Sequence, residues 1–145
     1  MESEHKVIYL EKTLTSAQIK ALVATDVALV AAPGAGKAAV ICGPILLTMV
    51  PDPTTPVQYA WANTDHGITV GDAAFDSDAE AQALIEAAAS ARYTAVLRSP
   101  AGSSPVTENQ AISIGASGTG EPATGNGTLV VRFPYMIVDV TADPA

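Results

Sequence analysis

Residues 128–140 read TLVVRFPYMIVDV. So dense a run of β-branched and aromatic residues predicts a long strand. Pro134 lies inside it and has no N–H to give to a ladder, so the strand must meet an edge or a bulge there. A chain carrying such a strand is committed to building a sheet around it.

The remaining runs supply further strands. Val7-Ile8-Tyr9-Leu10 reads as a short strand behind a loose terminus. Thr15 with Gln18 three residues later forms a capping-box pattern, and Ile19, Leu22 and Val23 then share one helical face. Residues 26–32 predict a strand, and 38–50 a longer one bent or bulged at Gly43-Pro44. PDPTTP, 51–56, is a loop, and strands are expected at 57–62 and 68–70. The segment 77–89 is the clearest helix, opened by a second capping box, Ser77 with Glu80, and turning Ala81, Leu84, Ile85 and Ala88 inward. Strands at 92–98 and 109–115 follow, then a Gly/Ser/Thr/Pro-rich connection. Asn126-Gly127 reads as a turn into the last strand.

Strands outnumber helices and do not alternate with them, which argues against a doubly wound sheet. The expected fold is mainly β: a single antiparallel β-sandwich, jelly-roll-like, with one or two short helices. It would span 14–145 behind an N-terminal arm, 1–13.

Charge restricts the function. Seven Lys and Arg face fifteen Asp and Glu across 145 residues, a net charge of −8. Such a chain repels phosphate backbones, so no nucleic-acid partner is expected. Only 15% of residues are charged and 48% are apolar, against about 25% charged in ordinary soluble domains. Part of the surface is therefore expected to be covered by other chains. No stretch of about 18 apolar residues predicts a membrane span. The opening MESEHKVIYLEK lacks a signal-peptide layout, so synthesis and retention in a cytoplasm are expected. Cys42 is alone among apolar neighbours and reads as a small buried hydrophobe.

The segment VAAPGAGKAAV, 30–40, looks like a phosphate-binding loop. That motif needs glycine at position 31 and a hydroxyl at 38, and both are alanine. The residues after it are β-branched and broken by Gly-Pro, a poor start for the helix that would aim its amides at phosphate. It reads instead as a hairpin turn between two strands, with Lys37 an exposed charge. Asp72, Asp76, Asp78 and Glu80 lack the spacing of a calcium loop, and Asp78 and Glu80 sit at the start of a helix, where negative charge is favoured. Asp65-His66 sits in a turn with no nucleophile held nearby by a motif, and His5 lies in the loose terminus. Tyr59 and Trp61 share one strand face. They could offer a sugar platform, but packing is the commoner use. No catalytic residue, metal or cofactor is expected.

Four stretches carry a resemblance. LTSAQIKAL leads into VALVAAPGAGKAAVI, and near the other end NQAISIG precedes GNGTLVVRFPYMIVDV. Together they resemble auxiliary capsid proteins of tailed bacteriophages, the cement or decoration proteins. The resemblance spans both ends of the chain and not its middle, and APGAGK and Y-x-I-V-D are its most recognisable pieces. It implies a protein made in the host bacterial cytoplasm and carried on the capsid surface of the virion. There it would bind the outside of the phage head as a homo-oligomer, a trimer by expectation, and bridge major capsid protein subunits. Val7, Ile8, Tyr9, Leu10, Lys37, Tyr59 and Trp61 are the candidate interaction residues. The N-terminal segment would reach a neighbour as an added strand. A tail or baseplate component, or a host- or sugar-binding module, is the alternative.

Overall fold

The computed structural model describes residues 6–61, 63–71, 73–75, 78–87, 92–97 and 107–141. In chain order the elements are β1 (Ile8–Leu14), α1 (Ser16–Lys20), β2 (Val27–Val30), β3 (Lys37–Ile41), β4 (Ile45–Val50), β5 (Gly67–Val70), β6 (Ala73–Ala74), α2 (Asp78–Ile85), β7 (Tyr93–Leu97), β8 (Ile112–Ser117) and β9 (Thr128–Asp139). They build two sheets. One runs β1-β9-β4-β7 with β3 also on β9, and the other runs β2-β8-β5-β6. Every pairing is antiparallel. The chain thus adopts the expected mainly β, sandwich-like architecture with two short helices.

β9 is the spine of the larger sheet. β1 flanks one side, from Ile8↔Tyr135 to Leu14↔Leu129. On the other side β3 and β4 follow one another. Between Ile41↔Tyr135 and Leu46↔Arg132 the β3–β4 strand advances five positions while β9 advances three. The excess is a bulge at Cys42-Gly43-Pro44, and it lies opposite Pro134. The Cys42 amide donates to the Pro134 carbonyl at 3.0 Å. A strand residue points its N–H and C=O to the same side, so the missing N–H of Pro134 also faces the bulge. The proline and the bulge are one device, and 38–50 is one bulged strand as its sequence predicts.

Period-2 alternation fills the space between the sheets. Leu14, Ile45, Leu47, Leu97, Leu129, Val131 and Phe133 from the larger sheet meet Ile68, Val70, Ile112 and Ile114 from the smaller, all buried. α1 opens with the predicted box: the Gln18 amide donates to Thr15 Oγ1 at 3.2 Å and the Thr15 amide to Gln18 Oε1 at 2.9 Å. Ile19 anchors its inner face, and Leu22, read from the sequence as part of the same helix, is buried in the turn that follows it. α2 turns Ala81, Leu84 and Ile85 into the same core. Ser77, Ala88, Asp72, Asp76 and His5, singled out in the sequence, lie outside the described residues.

Four expectations change. Of the segment read as an arm, residues 8–13 belong to β1, a strand of the sheet paired to the chain's own β9 along its whole length. The turn in APGAGK is not a hairpin: β2 belongs to the smaller sheet and β3 to the larger, so the turn crosses between them. Residues 57–61 form no strand, because side chains rather than a ladder hold their backbone. Cys42 is exposed, since the bulge turns it away from the core.

Candidate functional site

The glycine-rich turn does collect an anion, and it comes from the chain itself. Gly34 and Gly36 adopt φ of +108° and +79°, which only glycine takes up at little cost. The Gly36 amide donates to Glu108 Oε2 at 2.9 Å, and the Gly34 amide to Asn109 Oδ1 at 2.8 Å. The Asn109 amide donates to the Lys37 carbonyl at 2.7 Å. Lys37 itself is exposed as the first residue of β3, opposite Asp139. The turn is thus held by the side chains of Glu108 and Asn109, one amide each, and Lys37 stands at its base.

Tyr59 and Trp61 do share a direction, and it is inward: they are 2% and 7% exposed. The Tyr59 hydroxyl donates to the Gly127 carbonyl at 2.5 Å. Its ring lies against Gly125, where an added Cβ would come within 2.1 Å of it at φ +121°. Desolvation pushes the phenol up to about 12. The Trp61 amide donates to Glu86 Oε2 at 2.8 Å, tying the segment to the end of α2. The Asn126 side chain clamps the other end, accepting from the Val57 amide at 2.8 Å and donating to the Thr55 carbonyl at 2.7 Å. Asn126 therefore serves as a bracket rather than as the corner of a tight turn.

His66, 1% exposed, stacks on Trp61. Its neighbour Asp65 is exposed and accepts from the Thr119 hydroxyl at 2.8 Å and the Thr119 amide at 3.2 Å. The hydroxyl first and the amide second hold its carboxyl below its ordinary value. The Asp65-His66 pair is thus built into loop packing. Among the described residues no group of three His, Cys, Asp or Glu is placed to hold a metal ion. Nor, among them, is any helix long and apolar enough to cross a membrane.

The surface candidates sit elsewhere. Val7, Ile8 and Tyr9 are exposed at β1, Tyr9 at 80%, while Leu10 is half-buried against the core. Lys37 lies across β9 from this group, on its β3 flank and further along the same half of the strand, opposite Asp139 while Ile8 is opposite Tyr135. Tyr93 and Val96 are exposed on β7, at the other end of the β1-β9-β4-β7 order. RYTAVLR reads as a strand from its sequence, but its position at a sheet edge follows only from the pairing. Comparisons with protein-family models, with curated proteins and with solved structures find no match.

Proposed function

We propose that this protein is a structural component of a virion: a decoration, or cement, protein that binds the outside of a phage head and bridges major capsid subunits. One observation carries the reading. Val7 and the first two residues of the edge strand β1, Ile8 and Tyr9, are exposed together on a chain with few charges. Apolar surface of this kind gains about 25 cal/mol per Å² when a partner covers it. The sequence resemblance in 14–50 and 109–140 supports the same assignment. Tyr59 and Trp61 are buried and offer no ring face to a sugar. The mechanism is mechanical: apolar area buried across a junction between capsid subunits must be re-exposed before internal pressure can part them.

The test is co-sedimentation of the purified protein with phage capsids stripped of their decoration protein, with electron microscopy locating the bound copies. Binding at head junctions, with capsids that then withstand higher temperature, is expected. Absence of capsid affinity, or localisation to the tail, overturns the reading.

A further inference from the structure

We propose that copies of this chain join head to tail, the β1 edge of one pairing with the β7 edge of the next. This deepens the self-association part of the reading above, though assembly of this kind needs no capsid to occur.

The two edges fit in their main chains. Even-numbered residues of β9 turn their polar groups toward β3 and β4, as the bond from Cys42 to Pro134 shows. Tyr9, Glu11 and Thr13 stand opposite Pro134, Arg132 and Val130, so their N–H and C=O groups point to the open side of β1. Leu46 and Thr48 spend theirs on Arg132 and Val130. Val96 and Thr94, opposite Leu46 and Thr48, therefore point theirs to the side of β7 that no strand among the described residues pairs. The path β1-β9-β4-β7 has an even number of antiparallel strands. A second copy, rotated about an axis along the strands, thus brings its β1 antiparallel to β7 with its outer face still outward.

The side chains fit as well. Of the six large hydrophobics exposed among the described residues, five lie on or beside these two strands: Val7, Ile8, Tyr9, Tyr93 and Val96. One register matches all five residues of β7 to β1, with Tyr9 opposite Val96, Leu10 opposite Ala95 and Lys12 opposite Tyr93. An aromatic faces a β-branched residue, a pairing that stabilises sheets. Glu11, which accepts from Arg132 Nε at 3.1 Å in its own chain, falls diagonal to exposed Arg92, so the two arginines would share its carboxylate across the ladder. A cavity of about 530 Å³ borders β7, lined by Ala95 and Tyr93 together with Phe75 of the turn after β6 and Ala79 and Ala83 of α2. Such a contact is heterologous, so it closes into a ring or runs on as a filament.

The test uses light scattering on the full chain and two edge-blocking variants, Tyr9→Lys and Val96→Lys, each at an exposed position and checked for folding by circular dichroism. Lysine on an edge strand is a natural block to pairing. The native chain is expected to be larger than a dimer, and each variant alone monomeric. An equimolar mixture of the two variants should form a heterodimer, because one intact β7 and one intact β1 remain. A native monomer, a Val96→Lys protein that keeps the native mass (β1 pairing with itself), or a mixture that stays monomeric overturns the proposal. A second measurement does not depend on lysine: Tyr9→Cys with Val96→Cys in a Cys42→Ser background. In one chain those positions are separated by β9 and β4, three strand spacings of about 4.8 Å, so a disulfide forms only between copies. Oxidation should give covalent oligomers, and a monomer that does not cross-link overturns the register. If copies assemble but do not bind capsids, the capsid reading fails and the interface stands.

Discussion

The imidazole of His66 lies flat on the indole of Trp61, ring centroids 4.0 Å apart and planes within 3° of parallel. The His66 ring nitrogens meet the carbonyls of Asn63 at 3.1 Å and Gly120 at 2.8 Å. The stack therefore joins three loops: the segment before residue 62, the turn leading into β5 and the loop after β8. Trp61→Ala should cost about 3–5 kcal/mol, the range for a buried aromatic truncated to alanine. Trp61→Phe should cost distinctly less. It keeps an aromatic face for His66 and removes an indole N–H that is buried with no hydrogen-bond partner. Urea unfolding of both variants measures the difference, and equal losses would mean that the stack contributes nothing.

Glu108 holds the glycine turn from 72 residues away. Glu108→Ala leaves the Gly36 amide without its acceptor at an exposed site, where water replaces it. The expected cost is about 0.5–1.5 kcal/mol, with faster hydrogen exchange at Gly36 and little change at Val131 in the core. Glu108→Gln keeps an oxygen acceptor and should restore most of the protection. Exchange at Gly36 unchanged in Glu108→Ala would show that the turn is held by other bonds.

The same turn shows what could be read from the sequence and what could not. Local chemistry was legible: the Thr15 box, the bulge at Gly43-Pro44 and the inward Leu84 and Ile85 each follow from neighbours within a few residues. The absent Gly and Ser/Thr argued against a phosphate loop. Nothing local says that the Gly36 amide would find Glu108, or that β2 and β3 would part into different sheets, since those choices are set by pairing across the whole fold. The same holds for 57–61. Tyr59 and Trp61 announce a buried face by their alternation, but Asn126 and Glu86, which replace a ladder there, are distant in sequence. Of the surface candidates, Tyr9 was legible as part of an apolar run near the terminus. Val96 was not, because edge position belongs to the sheet and not to the strand.

Tyr59 should make the fold sensitive to alkali. Its folded-state value is raised from 10.0 to about 12 by desolvation. A raised value favours the protonated phenol in the native state, so the contribution is whole below 10.0 and is lost as pH rises through about 12. Tyr59→Phe removes this titration. Near neutral pH it should be less stable by about 1 kcal/mol, having lost the bond to Gly127. As pH climbs through that window its stability should fall less steeply than that of the parent. Thermal unfolding across the alkaline range compares the two, and parallel curves would remove Tyr59 from the alkaline transition.

Asp65 works at the opposite end of the pH scale. The Thr119 hydroxyl and amide hold its carboxyl below 3.8. A lowered value favours the carboxylate in the native state. Its contribution is therefore present above 3.8 and is lost as pH falls through the still lower folded-state value. Asp65→Asn should lower the melting temperature at neutral pH, because Asn cannot accept from both Thr119 donors as a carboxylate does. Below that window the parent's Asp65 is itself protonated, so the two melting temperatures should converge. Asp52, held low first by the Thr55 amide and then by Thr54, titrates in both proteins. Its effect cancels in the difference between them. A gap between parent and Asp65→Asn that stays constant from neutral pH down through the acid limb would show that the carboxylate's charge does not hold the loop after β8 to the turn that carries His66.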